Sequence, residues 1–217
     1  MRAAIGLALL ASAVPAKAGT VSGQVTLVEK GGRPAPDIGD VVVYVDGAKA
    51  KPRPAKAVMT MKGKNFTPHV VAIPAGGSVE FPNEDPIFHN VFSVSGDNRF
   101  DLDLYKRPKS GSWTFQSPGV VHVYCNIHPQ MAAIVLVRDN PYFTKVAADG
   151  SFSIEGVPAG TYQLIAWHER GGETAVEVTV PADGQVTAAP LALDTSKYKR
   201  VAHKNKFGKD YGADEKY

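Results

Sequence analysis

The sequence predicts an all-β protein built as two β-sandwiches. Short runs rich in β-branched and aromatic residues recur along the body of the chain, and turns such as "PAGG", "ADG" and "PAG" separate them. No window of helical length shows a 3.6-residue apolar period. A length of 217 residues, 44% hydrophobic and 21% charged, suits one or two folded domains and excludes wholesale disorder.

Taken in order, residues 1–18 read as a secretory signal peptide. Arg2 supplies a positive start, "AAIGLALLASAV" is a small apolar run, and Ala16-Lys17-Ala18 is an A-x-A cleavage pattern. The run is too short to cross a membrane as a helix. The mature chain is therefore expected to start near Gly19, with no transmembrane anchor and a periplasmic location. Its charge is uneven: residues 195–217 carry seven Lys or Arg against three Asp or Glu. Such a basic, aliphatic-poor tail is expected to be a solvated extension, the alternatives being docking on an acidic partner or packing of Phe207, Tyr211 and Tyr217 on the body. No basic patch interleaved with aromatics occurs elsewhere, so nucleic acid is not an expected partner.

The strands then follow as "VSGQVTLV", "DVVVYV", "HVVAIPAGGSVEF", "VVHVYC", "AAIVLV", "SFSI", "TYQLIAW" and "TAVEVTV". The first two and the last three, with their G-x-V, G-x-P, V-V-x-V, D-G-x-F and P-A-G-x-Y signatures, resemble two halves of a carboxypeptidase regulatory-like or transthyretin-like β-sandwich. That resemblance implies an insertion: residues 19–54 and 139–194 would form this smaller sandwich, and residues 55–138 a second one between its halves. Insertions are tolerated at loop tips whose ends lie close together. The alternative is a tandem order in which the N-terminal strands join the second domain.

The only cysteine lies in the inserted segment, in "CNIHPQM". In "GVVHVYC", Val121, Val123 and Cys125 alternate onto one face and His122 and Tyr124 onto the other. Cys125 ends that strand, and the short turn to Met131 can bring Cys125, His128 and Met131 around one point. Pro129 restricts how far His128 can relax. A thiolate and a thioether with imidazole suit copper, whereas zinc, the chemical competitor, takes thioether poorly. With one cysteine, neither a dinuclear thiolate-bridged centre nor an iron–sulfur cluster can be built by this chain alone. An unpaired thiol in an oxidising compartment is a liability unless something occupies it.

"FTPHVVAIPAGGSVEFPNEDPIFHNVFS" followed by "PGVVHVYCNIHPQM" resembles the cupredoxins, Greek-key β-sandwiches with a type 1 (blue) copper site. The C-x-x-H-P-x-M loop is most similar to that of amicyanin, and H-N-V is shared with amicyanin and plastocyanin. The resemblance implies one mononuclear copper ion ligated by His89, Cys125, His128 and Met131. Asn90 would lie in the surrounding shell, its side chain tying the first-ligand loop to the Cys loop, and Pro129 would stiffen that loop. Tyr124 would be a possible electron path and His128, on an exposed loop, the edge for electron exchange. The implied function is single-electron transfer, not catalysis, with a partner such as a c-type cytochrome or an amine dehydrogenase of a methylamine-utilisation system.

The remaining histidines, His69, His122, His168 and His203, lack partners at ligand spacing and read as ordinary surface or hydrogen-bonded residues. Met59 and Met61, two apart, are expected in one core. "NEDP" reads as a turn before the ligand strand rather than as paired catalytic carboxylates. Two other functions fit the same sequence: a periplasmic copper-handling protein for delivery or resistance, and a scaffold protein with a redox-sensitive copper domain.

Overall fold

The computed structural model describes residues 18–182 and 184–211. The expected signal peptide, apart from Ala18, and Tyr217 lie outside them. The chain opens with β1 (Ala18–Glu29), β2 (Arg33–Pro34) and β3 (Val42–Asp46). Ten strands follow: β4 (Lys56–Val58), β5 (Thr60–Lys62), β6 (Asn65–Thr67), β7 (Val70–Pro74), β8 (Gly77–Pro82), β9 (His89–Ser93), β10 (Phe100–Tyr105), β11 (Ser110–Phe115), β12 (Gly119–Tyr124) and β13 (Ala132–Arg138). The last six are β14 (Phe143–Lys145), β15 (Ser151–Pro158), β16 (Gly160–His168), β17 (Gly172–Val180), β18 (Gly184–Thr187) and β19 (Leu191–Asp194). The helical content among the described residues is two single 3₁₀ turns.

Pairing runs β15-β1-β18, with β2 and β19 also on β1, and β14-β3-β16-β17 in a second sheet. These two sheets enclose one core that includes Val21, Val43, Val45, Leu164 and Ala166. Between β3 and β14 the chain builds another pair of sheets, β10-β9-β12-β13-β7 and β11-β8-β4. Their core includes Met59, Met61, Phe81, Phe115, Val121, Val123, Cys125 and Met131. Apart from β2 on β1, the partners of β1 and β3 all lie from residue 143 onward, and none is among β4–β13.

A third cluster joins the two sandwiches: Val42 and Tyr44 of β3 and Trp167 of β16 pack on Val70 of β7 and Ile134 and Leu136 of β13. Side chains alternate across a strand, so β3 and β13 each send one set into their own core and the other into this junction. Burial on both faces is why "VVVY" and "AAIVLV" read as unbroken apolar runs rather than alternating ones. Polar contacts rim the junction. Arg138 lies 3.6 Å from the Tyr44 ring centroid, Lys145 donates to the Val70 carbonyl at 2.9 Å, and His69 meets Glu169 at 2.6 Å.

The hydrogen bond that His69 donates to Glu169 raises the pKa of His69 despite burial, and the same bond lowers that of Glu169. A raised imidazole contributes below its unfolded value and a lowered carboxylate above its own. The pair is therefore fully in force between pH 4.5 and 6.5, fading as pH rises through the raised His69 range or falls through the lowered Glu169 range. Glu169→Gln should thus lower the Tm more at pH 5.5 than at pH 9. An equal loss at both would show that the contact is not ionic.

The C-terminal tail departs from the expected solvated extension. Thr195 anchors it to the Val28 carbonyl, His203 stacks on Tyr124, and Tyr211 reaches the Cys125 carbonyl, while Phe207 stays 71% exposed. Individual polar contacts with the body hold it, which its composition does not reveal.

Candidate metal centre

The centre lies at one end of the inserted sandwich, where β9 starts and β12 ends. His89 opens β9, whose five residues are all buried. The turn before it is shaped by Asn83, whose Nδ2 donates to the carbonyls of Ile87 and Tyr105 and whose Oδ1 accepts from the Asp85 N–H. Asp85 is thereby aimed at two targets. Its carboxylate accepts from Gly63 N at 2.8 Å and Lys64 N at 2.9 Å, and it meets His89 Nε2 at 2.8 Å. Burial pushes the Asp85 carboxyl up, but these hydrogen bonds outweigh it and hold the pKa below the usual carboxylate range.

Cys125 follows β12, with Val121 and Val123 on the same inward face and all three buried. The loop after it is closed by two backbone bonds, Cys125 N to Met131 O at 3.2 Å and Met131 N to His128 O at 2.9 Å. His89, Cys125 and His128 come together, each offering a ligand atom within 4.8 Å of the others. The two Nδ1 atoms are 3.0 Å apart, and His128 Nδ1 is 3.6 Å from the sulfur. Met131 is fully buried in the core cluster that holds Cys125.

The electrostatics suit a cation. With Nε2–H given to Asp85, the His89 Nδ1 lone pair faces inward toward His128 and Cys125. Burial and the neighbouring His89 push the pKa of His128 down to about 4, so it is neutral at pH 7. Burial pushes the Cys125 thiol up, while the backbone N–H groups of Asn90, Ile127 and His128 act in the opposite sense. Two imidazole Nδ1 atoms and a sulfur converge in a buried site, a donor set that fits a soft or borderline metal ion once the proton shared between the imidazoles is displaced.

Two expectations are corrected. The Asn90 side chain does not reach the Cys loop: its Nδ2 donates to Asp101 Oδ1 at 2.7 Å and Asp103 O at 3.0 Å, while its backbone N–H points at Cys125 Sγ at 3.5 Å. His128 is not exposed. It is 4% accessible, and its Nε2 is buried with no hydrogen-bond partner among the described residues. It lies at an apolar cleft of about 530 Å³, also lined by Pro86, Ile87, Phe88, Leu104 and Ile127. Pro129 stays exposed beside it.

Tyr124 is half-buried and stacks at 4.1 Å on His203. His69 and His168 are held by Glu169 and Asp37, at 2.6 and 3.2 Å. Asp85 is the functional residue that sequence reasoning missed. Its signal was its place in the "NEDP" turn four residues before His89, with Asn83 beside it.

Several known proteins are similar to the chain. The family model for polysaccharide lyase family 4, domain II, matches residues 109–188, which run from β11 of the inserted sandwich to β18 of the other. A purple cupredoxin from Nitrosopumilus maritimus is similar at 22% identity over 38% of this chain and 99% of that one, with a TM-score of 0.34. Amicyanin from Paracoccus versutus is similar at 22% identity over 44% of this chain and 97% of that one, TM-score 0.35. The copper-containing nitrite reductase of Thermus scotoductus SA-01 is similar at 27% identity over 52% of this chain but 28% of its own length, TM-score 0.36. No curated protein matches the chain. On its own strand order and ligand cluster, the inserted sandwich is cupredoxin-like and its partner is a second β-sandwich.

Proposed function

We propose that this chain is a periplasmic type 1 copper protein that carries single electrons between redox partners. The observation that carries this reading is the fully enclosed set of His89, Cys125 and His128 within 4.8 Å, at the mouth of a loop that ends in buried Met131. Thiolate, two imidazoles and a thioether select copper over harder ions and over zinc. Copper held there would supply one-electron chemistry between Cu(II) and Cu(I).

The residues around the site keep it rigid and dry. Asp85 fixes the ring and tautomer of His89, and the backbone bonds between Cys125, His128 and Met131 limit movement of the loop. A filled set of four ligands leaves no position for a substrate, so we read a carrier rather than an enzyme. The partner, a protein such as a c-type cytochrome or an amine dehydrogenase, would dock on the apolar cleft above His128, where Phe88 and Leu104 are exposed and Lys106 stands 5.2 Å from the Phe88 ring centroid. Export through residues 1–18 gives the periplasmic location.

The test is the absorption and EPR spectrum of the protein loaded with one equivalent of Cu(II), beside Cys125→Ser. An intense band near 600 nm that vanishes in the variant is expected of a His₂Cys copper centre, at roughly that wavelength. An ordinary Cu(II) spectrum indifferent to the substitution would overturn electron transfer in favour of copper handling.

A further inference from the structure

The C-terminal tail touches three successive residues at the end of the Cys strand, each by a different contact. His203 stacks on Tyr124 with ring centroids 4.1 Å apart, the Tyr211 hydroxyl donates to the Cys125 carbonyl at 3.0 Å, and Lys206 N donates to Asn126 Oδ1 at 2.9 Å. The same lysine also reaches the other ligand segment. Its Nζ pairs with Asp101 Oδ2 at 2.6 Å, Asp101 Oδ1 accepts from the Asn90 side chain, and the Asn90 backbone N–H points at Cys125 Sγ.

We infer that residues 195–211 form a brace that fixes the two ligand-bearing segments relative to one another, with Lys206 and Tyr211 as its positioning residues. For its effect on a bound metal, this rests on the copper reading above; for its effect on the loop itself, it does not.

The tail is built for the task. Thr195 N and Oγ1 both donate to the Val28 carbonyl, so its root is tied to the other sandwich. Farther on, Asn205 Oδ1 accepts from Phe207 N and Lys209 N, and Asn205 N donates to Lys209 O, folding residues 205–209 into a closed turn. That turn presents the Lys206 N–H and ammonium in two directions, one to each ligand segment. The Lys206 and Asn90 hydrogen bonds hold the Asp101 carboxyl below its usual range against burial, so it stays charged at neutral pH. Tyr211 also meets His203 Nδ1 at 3.3 Å, which couples the stack on Tyr124 to the bond on Cys125.

A ligand loop held at its Cys125 end and tied through Asp101 and Asn90 to the His89 segment changes little when the charge at its centre changes, and it opens rarely. The basic tail, seen only as charge, would suggest a partner-binding arm. Its contacts instead direct three of its polar groups, the Lys206 N–H and ammonium and the Tyr211 hydroxyl, to the chain's own ligand segments.

The experiment uses the full chain with Lys206→Ala and Tyr211→Phe, singly and together, and Lys206→Arg as the conservative variant. Amide hydrogen exchange of the metal-free protein should quicken across residues 124–131 and 89–90 by roughly fivefold for each bond lost, with β1 and β16 unchanged. Lys206→Arg should restore slow exchange. In copper-loaded protein, the double variant should lose metal to a chelator faster and show an altered EPR hyperfine splitting. Faster exchange confined to residues 198–211, with the loop and the spectrum unchanged, would overturn the brace. So would uniform acceleration through both sandwiches, which would make the tail a general stabiliser. If the parent protein gives an ordinary copper spectrum, the electron-transfer reading fails, and the exchange of the metal-free loop still decides the brace.

Discussion

Asp85→Ala is expected to weaken metal binding by about 10- to 100-fold, the usual cost of losing a carboxylate that orients a ligating imidazole. Asp85 is 9% exposed and meets His89 Nε2 at 2.8 Å. That contact keeps the proton on Nε2 and turns Nδ1 toward Cys125 and His128. Without it, His89 can rotate or take the other tautomer, and each binding event must first restore the productive one. The carboxylate also makes the imidazole a stronger donor to Cu(II), so its removal should raise the reduction potential as well. Asp85→Asn separates the two effects. An amide oxygen still accepts from Nε2–H, so affinity should fall less than in Asp85→Ala while the potential still rises. The control is circular dichroism of the metal-free variants, because Asp85 also accepts from the N–H groups of Gly63 and Lys64 and that turn will loosen. Affinities from competition with a chelator that stay within twofold of the parent would remove Asp85 from the site's machinery.

What could be read from the chain depended on how local the signal is. Cys125, His128 and Met131 share one loop, and the alternation of "GVVHVYC" places Val121, Val123 and Cys125 on one face, as observed. Met59 and Met61 enter the same core for the same reason. Contacts that join distant segments left no pattern. Asp85 is four residues from His89, but its other partners are on the turn at Gly63 and Lys64, so spacing shows a turn and conceals a hydrogen-bonded carboxylate. His128 lies at a cleft lined by Ile87 and Phe88 of the segment just before His89, which no reading of its own loop could reveal. Composition misjudged the tail because composition weighs apolar area, whereas this tail is held by single groups such as Tyr211, Lys206 and His203.

The junction between the sandwiches predicts the largest loss of stability. Trp167→Ala is expected to lower the unfolding free energy by about 3–5 kcal/mol, the range for removing a large buried aromatic. Trp167 is buried from β16 against Val42, Tyr44, Val70, Ile134 and Leu136, which come from both sandwiches. Its backbone is paired on both sides within its own sheet, so the surroundings cannot collapse easily into the space. The substitution also leaves one tryptophan, Trp113, which stacks on Phe100 at 5.1 Å inside the metal-site sandwich. Its fluorescence in urea then reports on that sandwich alone, while far-ultraviolet circular dichroism reports on both. Both midpoints should fall, because the sheet that carries Cys125 on its inner face relies on the other sandwich to cover its outer face. A Trp113 midpoint that stays at the parent value while the dichroism midpoint falls would mean that the metal-site sandwich stands without its neighbour. The flanking sandwich would then be a separate module rather than the wall behind the metal centre.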